Sequence, residues 1–122
     1  MDNNIEKLLE SLSKTKFRGS FHLNNKMKEY VNNKGIKKIE KDAKEIIIKR
    51  LGNSNPIKDG KQTPMKQVHP VFIAQHATGC CCRSCLERIH HIKKGKDLSI
   101  DEINYIVNVL IMWIKKEVNI SE

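Results

Sequence analysis

The sequence has few aromatic residues, little negative charge and no long apolar run. Aromatics are 5% of its 122 residues, against 39% hydrophobic and 30% charged residues overall, so an interior has to be built mostly from Ile, Leu and Val. The longest apolar run, Tyr105 to Ile114, is broken by Asn108 and stops at Lys115, short of the roughly 20 residues a membrane span needs. A secretory signal is not expected either, because Met1-Asp2-Asn3-Asn4 has an acid where a basic region would stand. The expected location is cytoplasmic, with no membrane partner. At 14.1 kDa the chain fits a single domain, 1–122, and a large multidomain enzyme is excluded.

Acidic residues number 14 against 23 Lys plus Arg, a formal net charge of +9. The excess precedes the cysteines, because residues 80–122 carry seven bases and six acids. Lys14, Lys16, Arg18, Lys26, Lys28, Lys34, Lys37, Lys38, Lys41, Lys44, Lys49 and Arg50 make up most of it. Two readings stand: a solvated basic face, or a surface for nucleic acid or another polyanion.

Strand–helix alternation is missing too, which argues against a doubly wound sheet, and what is present is helical periodicity. Ile5, Leu8, Leu9 and Leu12 form a first stripe with Asn4 as its cap. A second helix starts at Asn24, carries Met27, Tyr30 and Val31, and ends at Lys34-Gly35, where glycine can take a left-handed stop. Ile36, Ile39, Ala43, Ile46, Ile47, Arg50 and Leu51 fall at three- and four-residue steps before Gly52. Ser99 caps a last helix over 99–118, with Asp101 and Glu102 in its first turn and Lys115 and Lys116 near its end, the signs that suit a helix dipole. Its face reads Ile103, Ile106, Val107, Leu110, Ile114, widened by Val109 and Trp113. The expected fold is mainly α: a small single-domain helical protein, helical over 1–52, with a long ordered loop and a Cys/His metal knuckle over 53–95, and the C-terminal helix.

That middle segment holds all three prolines, the turn signal Asp59-Gly60 and the short apolar run Val71-Phe72-Ile73-Ala74, which fits either a strand or a buried helical turn. It also holds every cysteine, within Cys80-Cys81-Cys82-Arg83-Ser84-Cys85, and four of the five histidines lie close by. Reduced, clustered thiols point to metal or redox chemistry rather than to disulfide staples. Cys82-x-x-Cys85 is a knuckle spacing, and His76 and His90 complete a two-sulfur, two-nitrogen tetrahedron of the kind zinc takes. Cys81, four residues from Cys85, and His69 are the substitutes. A thiol redox site using Cys82 and Cys85 is the competing reading, and buried free cysteines the plain one. A metal-dependent hydrolase or nuclease is a further alternative, for which Asp59 and Glu87 are the nearby carboxylates. Arg83 would either balance thiolate charge or meet a phosphate. Arg18, with Phe17 and Phe21, reads as a helix-docking segment. His22 reads as structural, His91 as exposed and Trp113 as core.

Asp59-Gly60-Lys61-Gln62-Thr63-Pro64-Met65, His69-Pro70-Val71-Phe72-Ile73-Ala74-Gln75-His76-Ala77-Thr78 and Cys81-Cys82-Arg83-x-Cys85-Leu86 together resemble domain-of-unknown-function family 4186. The resemblance extends through His90-x-Ile92-x-Lys94-Gly95 and Tyr105-Ile106-Val107, and back to Phe17-Arg18 and Lys34-Gly35. It implies that His69, His76, Cys81, Cys82, Cys85 and His90 are motif positions, and it implies no particular reaction. Cys80 stands where the family has threonine and Ile89 where it has tryptophan, so Cys80 is the least expected ligand. The expected function is a zinc-binding protein that meets a polyanion through its basic helices and Lys61, Gln62 and Lys66.

Overall fold

A computed structural model of the chain describes residues 2–54 and 63–119. Six α-helices are found there: α1 (Asp2–Ser13), α2 (Asn25–Lys34), α3 (Ile36–Leu51), α4 (Pro70–Thr78), α5 (Arg83–His90) and α6 (Ile100–Glu117), with a short 3-10 turn at Arg18–Ser20. Among the described residues no strand occurs, and no helix is long and apolar enough to cross a membrane. The mainly helical expectation holds.

Local chemistry sets most helix ends. Asn24 Oδ1 accepts from the Met27 N–H at 2.9 Å, the N-cap expected of it. Ser99 and Glu102 form a reciprocal capping box that opens α6. Two expected ends differ. α1 begins at Asp2, so Asn4 lies inside the helix rather than capping it. Gly35 has a positive φ of 86° but an extended ψ of 150°, so it breaks the chain between α2 and α3 instead of adding a left-handed helical turn.

Helix α6 is the spine. Ile103, Ile106, Val107, Val109, Leu110, Ile111 and Ile114 are buried, too wide a stripe for one neighbour, and the helix packs mainly against α3 and α4. From α3 come Ile39, Ala43, Ile47 and Leu51, the predicted face, while Trp113 packs at the edge of the core.

The segment expected as loop and knuckle contains two helices. Val71-Phe72-Ile73-Ala74 belongs to α4, where Pro70 supplies the first-turn proline and His69 is the N-cap. Every α4 residue but Phe72 is buried, which is why no amphipathic period marks it. The run was ambiguous because a fully buried helix and a buried strand read alike. Arg83, 1% exposed, sits at the start of α5 and donates to the carbonyls of Leu51, Asn53, Lys93 and Lys96 at 2.7–3.1 Å. It ties the end of α3 to the loop before α6, and at 1% exposure it is closed to the phosphate contact that was one of its two expected roles.

Candidate metal centre

The site is built at the junction of α4 and α5. Gly79 ends α4 in the left-handed conformation, φ 75° and ψ 27°, and its N–H and that of Cys80 both reach Gln75 O. A Cβ at residue 79 would lie 2.4 Å from Ile89 Cδ1, the far end of a flexible side chain, so it is chiefly the left-handed backbone that calls for glycine. The tight reversal carries Cys81 and Cys82 to the first turn of α5. Cys82 is the N-cap, and its sulfur accepts the Cys85 N–H at 3.4 Å, the place a serine or aspartate oxygen usually fills.

The sulfurs of Cys81, Cys82 and Cys85 lie within 4.8 Å of one another. Cys81 Sγ and Cys85 Sγ are 3.7 Å apart. Two sulfurs each about 2.3 Å from one zinc ion at the tetrahedral angle stand about 3.8 Å apart, whereas a disulfide needs about 2.05 Å. The donor set is therefore spaced for an ion, and soft thiolates select zinc, copper(I) or iron rather than magnesium or calcium. Cys81 and Cys85 are buried and Cys82 is half-buried.

Two arginines stand beside the sulfurs. Arg18 Nη2 donates to Cys85 Sγ at 3.3 Å, and its Nη1 donates to the His76 carbonyl and approaches Cys81 Sγ at 3.9 Å. Arg88 Nη2 is 3.8 Å from Cys85 Sγ. Burial raises the Cys85 thiol, but hydrogen bonds from Cys82 and Cys81 and the Arg18 charge outweigh it, and the net shift is downward. Burial, then the charge at Cys85, pushes Cys81 up to about 12. Between Cys81 and Cys85, the readier thiolate is Cys85, next to Arg18.

The predicted ligands divide. Cys82 and Cys85 converge, and Cys81, the sulfur substitute, joins them; His76, His90 and His69 lie outside this group. His90 is five residues beyond Cys85, about 140° round the helix. Its Nε2–H donates to Thr78 O at 2.7 Å, so Nδ1 accepts the Tyr105 hydroxyl at 2.9 Å. His76 donates from Nε2 to Thr63 O at 3.0 Å and stacks on Phe21 with centroids 5.3 Å apart. His69 Nδ1 accepts the Val71 N–H, and its Nε2–H faces Asp42 at 3.3 Å. Thr63 also donates from Oγ1 to Cys81 O, pinning the chain over the sulfurs. Cys80 is fully buried, its thiol pushed up to about 12 by that burial, and it stands outside the sulfur trio.

Arg18 is the residue that sequence reasoning misread. Docking of Phe17 and Phe21 is real, with rings 5.1 Å apart edge to face, but the guanidinium between them reaches the thiols. The available signal was the Phe17-Arg18 pair within the resemblance. Asp59, Lys61 and Gln62 lie outside the described residues.

The profile of the family described as Domain of unknown function (DUF4186) matches residues 6–115. The chain belongs to that family. The match runs from α1 to the last turn of α6, so Arg18 and the three sulfurs all fall within the family domain. No solved structure matches the chain.

Proposed function

We propose that this DUF4186 protein binds one zinc ion through Cys81, Cys82 and Cys85. The observation that carries the reading is the sulfur geometry: three thiols from one chain reversal, two of them 3.7 Å apart, with the Cys85 N–H already directed at Cys82. Three thiolates on a divalent cation leave a net charge of −1, and Arg18 and Arg88 supply the compensating charge. Three sulfurs leave the fourth tetrahedral corner for water or another exogenous ligand.

A hydrolytic reading needs a base within reach of a bound water; Glu87 accepts the Lys94 N–H at 3.3 Å through one carboxylate oxygen, and Asp59 lies outside the described residues. Thiol redox chemistry using Cys82 and Cys85 remains the competing reading, and Cys81 and Cys85, with sulfurs 3.7 Å apart, are a second pair for it.

The test is elemental analysis of protein purified without chelators, combined with cobalt substitution. One metal per chain and a sulfur-to-cobalt charge-transfer band are expected, both lost in Cys82→Ser. Metal-free protein that binds no cobalt overturns the site. The polyanion reading rests on exposed Lys26, Lys34, Lys37, Lys38, Lys41, Lys44 and Lys49 along α2 and α3. A steep fall in oligonucleotide affinity with salt is its expected signature, and the absence of binding at low salt its refutation.

A further inference from the structure

A cleft of about 1050 Å³ opens between α1, α3, the end of α5 and α6, away from the three sulfurs. It has three chemically distinct walls. Lys37, Lys41 and Lys44, spaced at i, i+4 and i+7, line it from α3. Ile5 and Leu8 of α1 and Val107 of α6 make an apolar wall. Asn104, Asn108 and Tyr105 line it from α6. Glu40 stands within the lysine row and Asp101 on α6, so the lysines outnumber the carboxylates three to two.

Tyr105 has a fixed role at the base. Its hydroxyl donates to His90 Nδ1 at 2.9 Å, because His90 Nε2–H is committed to Thr78 O, and His90 is itself 9% exposed. The phenol oxygen therefore keeps its lone pairs for a hydrogen-bond donor on whatever enters the cleft. Two carboxamides add donor and acceptor pairs on the same wall. A cationic row, an apolar wall and a wall of amide and phenol groups match a phosphate, a planar heterocycle and a sugar.

We propose that this cleft binds a nucleoside monophosphate, with the phosphate at Lys37, Lys41 and Lys44, the base against Ile5, Leu8 and Val107, and a ribose hydroxyl donating to Tyr105. The volume accommodates such a molecule and lies at the upper end of ordinary ligand pockets. The site does not depend on the metal reading. It shares its lysines with the basic face, but it calls for a small saturable ligand rather than a polymer.

The test is titration of the full-length, 15N-labelled protein with AMP, GMP, CMP and UMP at physiological salt, followed by amide shifts. At least one of the four is expected to give saturable shifts confined to residues 4–8, 37–44, 89–91 and 101–108. The triple change Lys37→Ala, Lys41→Ala, Lys44→Ala should weaken it at least about tenfold, and Tyr105→Phe, with the ring retained, severalfold. Lys26→Ala, Lys28→Ala, Lys34→Ala, made together, should leave it unchanged. The proposal is overturned if none of the four saturates by about 5 mM. It is equally overturned if inorganic phosphate reproduces the shifts, or if the α2 variant weakens binding as much as the α3 variant.

Discussion

Arg18 and Cys85 are 67 residues apart in the chain, and the Arg18 guanidinium donates to the Cys85 sulfur across 3.3 Å. The same side chain reaches the α4 backbone at His76, so one arginine joins the turn after α1 to both helices of the sulfur site. Replacing Arg18 with Ala removes charge-assisted bonds to a half-buried cluster and should cost about 1.5–3 kcal/mol. Lysine should restore only part of this, since an ammonium cannot span two sulfurs and a carbonyl as a planar fork does. Urea denaturation of the three proteins measures it; equal stability of all three would show that the contact contributes nothing.

The ligand assignment separates cysteines from histidines. Cys81→Ser, Cys82→Ser and Cys85→Ser should each abolish stoichiometric metal binding, while His90→Gln and His76→Gln should retain it, because both rings are committed to other hydrogen bonds. Metal content and the cobalt spectrum of the five variants decide this. Loss of metal in His90→Gln with retention in Cys81→Ser would restore the two-sulfur, two-nitrogen arrangement.

Removal of the metal should loosen the junction between α4 and α5. Structural zinc contributes about 10–16 kcal/mol of binding free energy in small peptides, more than the usual margin of stability of a domain this size. A chelator should therefore lower the melting temperature and raise amide exchange over residues 76–91. Unchanged exchange there on chelation would mean that the sulfurs hold no structural ion.

Arg83 is the costliest single change expected outside the sulfurs. Arg83→Met would strip four carbonyls of a shared donor in a buried setting and should destabilise by about 3 kcal/mol or more. Gly79→Ala should cost about 2 kcal/mol, from the left-handed backbone and from the contact with Ile89. Chemical denaturation of both variants gives the numbers. The double variant Gly79→Ala, Ile89→Ala should recover the contact part but not the backbone part.

Acid should weaken the fold through its histidines. Burial holds His90 and His69 below the ordinary imidazole value; for His69 this prevails over the opposing pull of Asp42. The unfolded chain then takes up protons first as pH falls through about 6.5, so stability is full above that value. It declines below it until the folded-state histidines titrate. Urea midpoints of metal-free, reduced protein at several pH values from about 7.5 to 5.5 should fall, and less steeply in His90→Gln. A flat profile would contradict the burial of these rings.

The helices with one wet face were legible from the chain: the stripes of α3 and α6, the Asn24 cap and the Ser99–Glu102 box are local patterns, set within a few residues by periodicity and hydrogen-bond geometry. So was the chemistry of the cysteine run, because C-x-x-C at a helix start brings two sulfurs together by itself. The family resemblance was legible for the same reason, in contiguous motifs. Tertiary structure decided the rest. It made α4 a helix buried all round, turned His90 to the far side of α5, sent Arg83 to distant carbonyls and brought Arg18 to the thiols. Those outcomes depend on which segments pack together across long stretches of chain, and no local period encodes a partner 67 residues away.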